Sequence, residues 1–299
     1  MKILVTGSHG LVGTALVPFL TSQGHQVVCL VRSKPTVGQI WWDPDQEKLD
    51  RAQLEGFDAV VHLAGENIAS SRWTEQKKAQ LRESRIKGTK LLSKTLADLA
   101  SPPQVFICAS AIGYYGDRGV ELLTEESPSG SGFLAELCRD WEAATLAAKE
   151  AGVRVVSLRI GVVLSTKGGA LAQMLPPFQI GLGGPIGSGK QFFSWISVKD
   201  LVGIIHHVII TKELVGPVNA VTPNPITNLE FTKALGAALD RPTFFPVPAF
   251  GARLLFGKMA DELLLASTRV QPKKLMATGY QFRQPKIDIF MANIKDIAI

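Results

Sequence analysis

VTGSHGLVG (residues 5–13) stands between a short β-branched run, KILVT (2–6), and an apolar-periodic stretch, LVGTALVPFLTSQG (11–24). Read as strand, turn and helix, it gathers backbone N–H groups at a helix N-terminus, where negative charge is stabilised. Gly7, Gly10 and Gly13 are spaced so that the turn can be tight and the backbone can approach a pyrophosphate. Ser8, His9, Leu11 and Val12 lie among them and are candidate cofactor-binding residues by position. A strand-to-helix turn without a ligand has the same local look. The context favours the binding turn, because a second strand, HQVVCLVR (25–32), follows the helix.

Outward from this turn the same alternation continues. FDAVVHLAG (57–65) reads as a strand, residues 74–99 as one or two helices with polar and amphipathic faces, and QVFICAS (104–110) as a strand. FLAELCRDWEAATLAAKEAG (133–152) reads as a helix stopped by Gly152, and VRVVSLRIGVVL (153–164) as a strand. Pro18 is expected to bend the first helix. Strands alternating with helices predict an α/β fold, a Rossmann-type doubly wound parallel sheet with helices on both faces. Glycine and proline then become dense in LPPFQIGLGGPIGSGK (175–190), which reads as a functional surface loop. NLEFTKALGAAL (228–239) and AFGARLLFGKMADELLLAS (249–267) have helical period. The expected division is a dinucleotide-binding domain over 1–213, with a substrate-side loop at 175–196, and a small, mainly helical portion over 214–299.

Composition narrows the classes of function. Hydrophobic residues make up 46% and charged residues 19%, the balance of a globular chain rather than a disordered one. The net charge of +6 suits an anionic ligand. No basic run with interleaved aromatics points to nucleic acid. The start MKILVTG has too short an apolar run for a signal peptide, and LVGIIHHVII (201–210) is too short to span a bilayer. A soluble, intracellular, cytoplasmic protein is expected, with no membrane or nucleic-acid partner. Cys29, Cys108 and Cys138 are widely separated and in no ligand spacing, and the adjacent His206 and His207 would diverge on a helix, so no metal site is expected.

The end of the second strand selects the cofactor. Sites that prefer NAD place Asp or Glu there to accept from the ribose 2′-hydroxyl; this chain has Arg32, Ser33 and Lys34. Arg32 and Ser33 can bind a 2′-phosphate that a carboxylate would repel, so NADP(H) is expected over NAD. Leu63, Ala64 and Gly65, after the next strand, are small enough to leave room for the adenine ribose and diphosphate. Glu66 and Asn67 would then face the cleft on the substrate side, although Glu66 reads equally well as a cap or surface acid.

Together these residues resemble the extended and atypical short-chain dehydrogenase/reductases. The likeness rests on T-G-x-x-G-x-x-G (6–13), the basic residue after the second strand, H-x-A-G (62–65), ASAIGYYG (109–116), LRIGVVL (158–164) and WISVKDLV (195–202). More narrowly, GLGGPIGSGKQFFSWI (181–196), TNLEFTKALGAAL (227–239) and the segment from PVPAFGARLLF onward resemble the atypical epimerase-family group with its short uncharacterised C-terminal domain. The resemblance implies a Rossmann fold with NADP bound. It also implies a catalytic Ser or Thr after the fifth strand and a Tyr-x-x-x-Lys pair on the next helix, and here the chain departs. Ala111 takes the serine position with Ser110 one residue out of register, and Leu134 and Cys138 take the tyrosine and lysine positions.

Leu134 cannot transfer a proton and Cys138 lacks a permanent cation. Tyr115 and Tyr114 are the substitutes in reach, as acid/base groups or as packing. Ser110 is kept as a candidate cofactor contact. Arg85, in SRIKGT (84–89), is either a contact to a cofactor phosphate or an exposed helix cation. The 181–196 loop lacks G-x-x-x-x-G-K-[ST] and reads as a substrate-side lid, with Phe192, Phe193 and Trp195 supplying apolar contact. Three functions stay open: an NADP(H)-dependent oxidoreductase on an unidentified small molecule, a non-catalytic NADP(H) sensor, and a nucleotide-sugar epimerase. Oligomeric state is undetermined by the sequence.

Overall fold

The computed structural model describes residues 1–292 and Ile294. Strand β1 (Lys2–Thr6) runs into helix α1 (Leu11–Ser22) through the glycine turn. Ile3, Leu4 and Val5 are wholly buried, which is why this short apolar run forms a central strand. The helix continues through Pro18 and stops at Ser22, with Gly24 in the left-handed region at φ 81°. β2 (Gln26–Val31), β3 (Gln39–Asp43), β4 (Lys48–Leu49) and β5 (Ala59–His62) follow, then α2 (Glu75–Ala97) and β6 (Val105–Ala111). α2 is one helix of 23 residues, started by the Thr74 hydroxyl accepting from Lys77 N–H.

Beyond β6 come β7 (Leu122–Leu123), α3 (Phe133–Ala143), α4 (Leu146–Glu150), β8 (Arg154–Ile160) and β9 (Val162–Leu164). The single helix expected over 133–152 is thus broken at Ala144–Thr145, and the strand expected over 153–164 at Gly161. There the chain changes partners. Gly161 N–H bonds Ala220 O, and Val162 N–H bonds Ser194 O. A Cβ on Gly161 would lie 2.8 Å from Ser194 O, so the close passage needs glycine. α5 (Gly169–Gln179), β10 (Phe192–Phe193), β11 (Trp195–Ser197), α6 (Val198–Ile210), β12 (Gly216–Ala220) and β13 (Ile226–Thr227) continue the chain. α5 extends over the first residues of the loop expected at 175–196. The last elements are α7 (Asn228–Leu239), α8 (Ala249–Phe256), a π-helical turn at Ala260–Leu264, β14 (Arg269–Val270), α9 (Lys273–Ala277) and α10 (Ile287–Ala292).

The main sheet has the order β12-β8-β6-β5-β1-β2-β3-β4. β1 pairs parallel with both β2 and β5, with Leu4 opposite Val28 on one side and Val60 on the other. Strand order therefore reverses beside β1, the topological switch point at which ligands bind in doubly wound sheets. Contacts divide the chain into two compact units whose segments alternate: Met1–Ser110, Leu137–Arg159 and Val202–Val218 in one, and Ala111–Glu136, Ile160–Leu201 and the chain from Asn219 in the other. This corrects the single break near Leu214. The chain leaves the first unit at the ends of β6 and β8, because a parallel strand ends far from where the next begins and long excursions start there. The second unit has its own core, in which Trp195, Phe231, Leu235 and Phe290 join α5, α7 and α10.

Candidate functional site

In the first unit the glycine turn is closed as tightly as its spacing predicts. Gly7 has φ 69°, and a Cβ there would lie 2.7 Å from Leu63 C. A Cβ on Gly13 would fall 2.2 Å from Gly7 O. Side chains at either position would push the turn off its own helix and off the end of β5. Gly10 N–H bonds Gly7 O at 3.0 Å, and Gly10 is the N-cap residue of α1 without a side-chain cap. Helix N–H groups at Leu11, Val12 and Gly13 thus meet neither a capping side chain nor a first-turn acid. Ser8 is half-buried, and His9 and Gly10 are exposed beside them. A turn closed this tightly by glycine, at a positive helix end without a side-chain cap, fits a diphosphate.

A buried polar chain fixes the wall opposite this turn. Thr6 Oγ1 accepts from Leu63 N–H at 3.1 Å and Ala64 N–H at 3.2 Å, so its own proton goes to His62 Nδ1 at 2.7 Å. His62 therefore carries its proton on Nε2 and donates to Thr89 Oγ1 at 3.1 Å. Thr89 also accepts from Trp141 Nε1 at 2.9 Å and donates to Arg85 O at 2.7 Å. Every polar atom in the chain is used, and its direction is set from end to end. His62 is wholly buried, and burial lowers its pKa to about 4, so the ring is neutral. The H-x-A-G motif flagged this residue but gave it no role.

Arg32 and Ser33 are exposed just past β2, where the Trp41 indole N–H holds Arg32 O at 3.1 Å. Across from them, Glu66 pairs with Lys77 at 2.7 Å. The Lys77 hydrogen bond, aided by the charges of Lys77, Arg32 and Arg85, holds the Glu66 carboxyl below its usual range. Glu66 is thus a paired acid, and Lys77, missed in the sequence, is its largely buried partner. Asn67 turns inward on its own loop, accepting from Ala69 N–H at 2.9 Å. Arg85 is not the exposed helix cation of one sequence reading. It is buried, its guanidinium donates to Leu81 O and Glu66 O at 3.1 and 3.0 Å, and it lies 5.1 Å over the Trp141 ring. These bonds make it a brace for the 63–66 segment rather than a helix cation in water.

Ser110, at the end of β6, is buried and donates to Glu142 Oε1 at 2.7 Å. Glu142 also accepts from Arg159 Nε and Nη2, each at 2.9 Å. The serine proton is committed to this largely buried ion pair, which the sequence reading did not foresee. Cys138, at the usual lysine position, is buried.

The second unit holds the other residues of the expected catalytic set. Tyr115 is wholly buried and its hydroxyl donates to Asn219 Oδ1 at 2.7 Å; Asn219 Nδ2 in turn donates to Gln271 O at 3.0 Å. This corrects the acid/base reading of Tyr115: a hydroxyl fixed in the core by an amide meets no substrate, and its role is packing. Tyr114 is half-buried, edge-on to Tyr115 at 5.4 Å. Leu134 packs on Gly113, and its N–H, with that of Phe133, donates to the Glu262 carboxylate at 2.8 and 3.2 Å. A cavity of about 120 Å³ opens here, with Gly113, Leu134, Asp117, Glu262 and Thr268 on its wall. Where the resemblance implies a tyrosine hydroxyl, the structure has a leucine beside a carboxylate from the C-terminal part of the chain. Phe192 lies 4.8 Å under the Arg269 guanidinium, and Phe193 is 4.7 Å from Phe231. Trp195 is wholly buried in the core, so it is not the ligand-facing aromatic expected of a lid.

Comparison with known proteins agrees with this geometry. Residues 3–220 match the NAD dependent epimerase/dehydratase family, and residues 247–294 match a domain of unknown function (DUF1731). The chain is 44% identical to an epimerase family protein of Mycobacterium bovis over 286 residues, covering 95% of this chain and 94% of that one. It is similar to the crystal structure of human epimerase family protein SDR39U1 with NADPH, with a TM-score of 0.91, 39% identity, and coverage of 100% of this chain and 99% of the other. A nucleoside-diphosphate sugar epimerase from Corynebacterium glutamicum matches with a TM-score of 0.82 and 40% identity over 99% of this chain, which spans 58% of that one. The chain belongs to the NAD dependent epimerase/dehydratase family.

Proposed function

We propose that the protein binds NADP(H) and acts as a cytoplasmic oxidoreductase on a small molecule bearing a carbonyl or hydroxyl group. The observation that carries the reading is Arg32 at the end of β2, the position where NAD-preferring sites hold an acid. The human relative solved with NADPH supports it. When bound, the nicotinamide supplies or accepts hydride, and the protein supplies position and charge. Gly7, Gly10 and Gly13 let the α1 N-terminus meet a diphosphate; Arg32 and Ser33 meet a 2′-phosphate; Thr6, His62 and Arg85 hold the 63–66 segment that forms the far wall.

A second reading, a cofactor-binding protein without turnover, is favoured by Leu134 and by the buried Tyr115 hydroxyl. The two separate in a panel of small aldehydes and ketones monitored by NADPH oxidation. Turnover that survives Tyr115→Phe supports the oxidoreductase. NADPH bound with micromolar affinity and no turnover across the panel supports the binding protein.

A further inference from the structure

Two histidines 181 residues apart meet nitrogen to nitrogen in the first unit. His25 stands in the corner between α1 and β2, and His206 near the C-terminal end of α6. Their Nε2 atoms lie 3.0 Å apart, with ring centroids at 5.1 Å, and both rings are half-buried. Phe19 of α1 is edge-on to His206 at 6.1 Å. α6 therefore meets both the end of α1 and the corner after it. The corner is continuous with that helix: Gly24 N–H bonds Thr21 O at 3.0 Å, and His25 N–H bonds Leu20 O at 3.2 Å. The other end of α1 is the glycine turn.

Two ring nitrogens at this distance are joined by one proton. In the neutral pair one ring donates from Nε2 and the other accepts there, so the acceptor carries its own proton on Nδ1. A first added proton goes to the donor's Nδ1, and the bond becomes charge-assisted. A second must go to the acceptor's Nε2, the atom that holds the bond. Two N–H groups on two cations would then face each other, and the contact is lost. It survives one added proton and not two. The surroundings oppose protonation as well. Burial and the charge of the Met1 amine lower the pKa of His25; burial, His25 and His207 lower that of His206. No acid is among the groups that shift either ring, and Phe19, the α1 side chain against His206, is uncharged.

We propose that His25 and His206 form an acid-released latch that ties the α1–β2 corner to α6. Once released, each ring takes up its proton near an ordinary pH of about 6.5, whereas the closed pair refuses the second. The latch is therefore fully closed above that pH and is lost as pH falls below it. Nitrogen-15 spectra of the histidine rings in the full chain at pH 7.5 test the bond. The two Nε2 atoms together are expected to carry one proton; two protons, or none, overturn the proposal. Amide hydrogen exchange at residue 25, corrected for its intrinsic pH dependence, tests the release between pH 7.5 and 5. Protection is expected to fall at least about 5-fold in the wild type, and by less than about 2-fold in His206→Gln, whose amide can still bond His25 but takes up no proton. His25→Gln is the converse variant and is expected to behave as His206→Gln does. His207→Gln, a change at the adjacent ring, is expected to follow the wild type. Near-ultraviolet circular dichroism reports that each variant is folded. Protection that does not change with pH in the wild type overturns the latch, as does a fall of equal size in a folded His206→Gln or His25→Gln.

Discussion

His62 gives the protein a stability that acid should remove by a calculable amount. The ring is wholly buried, neutral and protonated on Nε2 between two threonine hydroxyls. Burial lowers its pKa from 6.5 to about 4. Below pH 6.5 the unfolded chain takes up a proton at this ring that the folded chain refuses. Stability therefore rises with pH across this window. It is fully present above pH 6.5 and is lost as pH falls through 4, at about 1.4 kcal/mol per pH unit and about 3 kcal/mol in all. Urea unfolding of the wild type and of His62→Gln at pH 7.5, 6.5, 5.5 and 4.5 isolates this contribution, because the other titrating groups are common to both proteins. At pH 7.5 the variant should be less stable by about 2–4 kcal/mol, from lost buried hydrogen bonds. The gap should close by about 3 kcal/mol toward pH 4. A gap that stays constant with pH would refute the buried neutral ring.

Three other perturbations follow from the same contacts. Gly13→Ala places a Cβ 2.2 Å from Gly7 O, so the turn must open; cofactor affinity in a fluorescence titration should fall at least about 100-fold and the melting temperature should drop. Tyr115→Phe leaves Asn219 Oδ1 without its donor and should cost about 1–3 kcal/mol in urea unfolding while cofactor affinity holds; a variant as stable as the wild type would contradict the assigned bond. Arg159→Met leaves the half-buried Glu142 carboxylate with its Ser110 bond but without its cation and should cost about 3 kcal/mol at pH 7, with part recovered in Arg159→Met/Glu142→Gln; equal losses in the single and double variants would contradict the pair.

What the sequence disclosed, and what it hid, divides by distance along the chain. The turn at Gly7–Gly13 and the strand-helix alternation around it depend on neighbours a few residues apart, so spacing alone revealed them. The place of Arg32, just past β2, was legible for the same reason. The carboxylate at Leu134 N–H comes from Glu262, 128 residues further on, and no local pattern marks it. The Thr6–His62–Thr89–Trp141 chain joins four elements and is equally non-local. Aromatics misled for a different reason. Tyr115 and Trp195 stand at element ends, where a large ring serves a site or a core equally well, and only burial decides. The break at Gly161 occurs inside a run of good periodicity, because tertiary pairing outweighs local propensity there.

Arg32, just past β2, is proposed to bind the cofactor's 2′-phosphate. Parallel calorimetric titrations of NADPH and NADH, into the wild type and Arg32→Ala, test it most directly. NADPH should bind the wild type more tightly than NADH. Arg32→Ala should weaken NADPH by about 10–100-fold, the worth of one charge-assisted contact, and leave NADH unchanged. Equal affinities in the wild type, with no effect of Arg32→Ala on either cofactor, would contradict it.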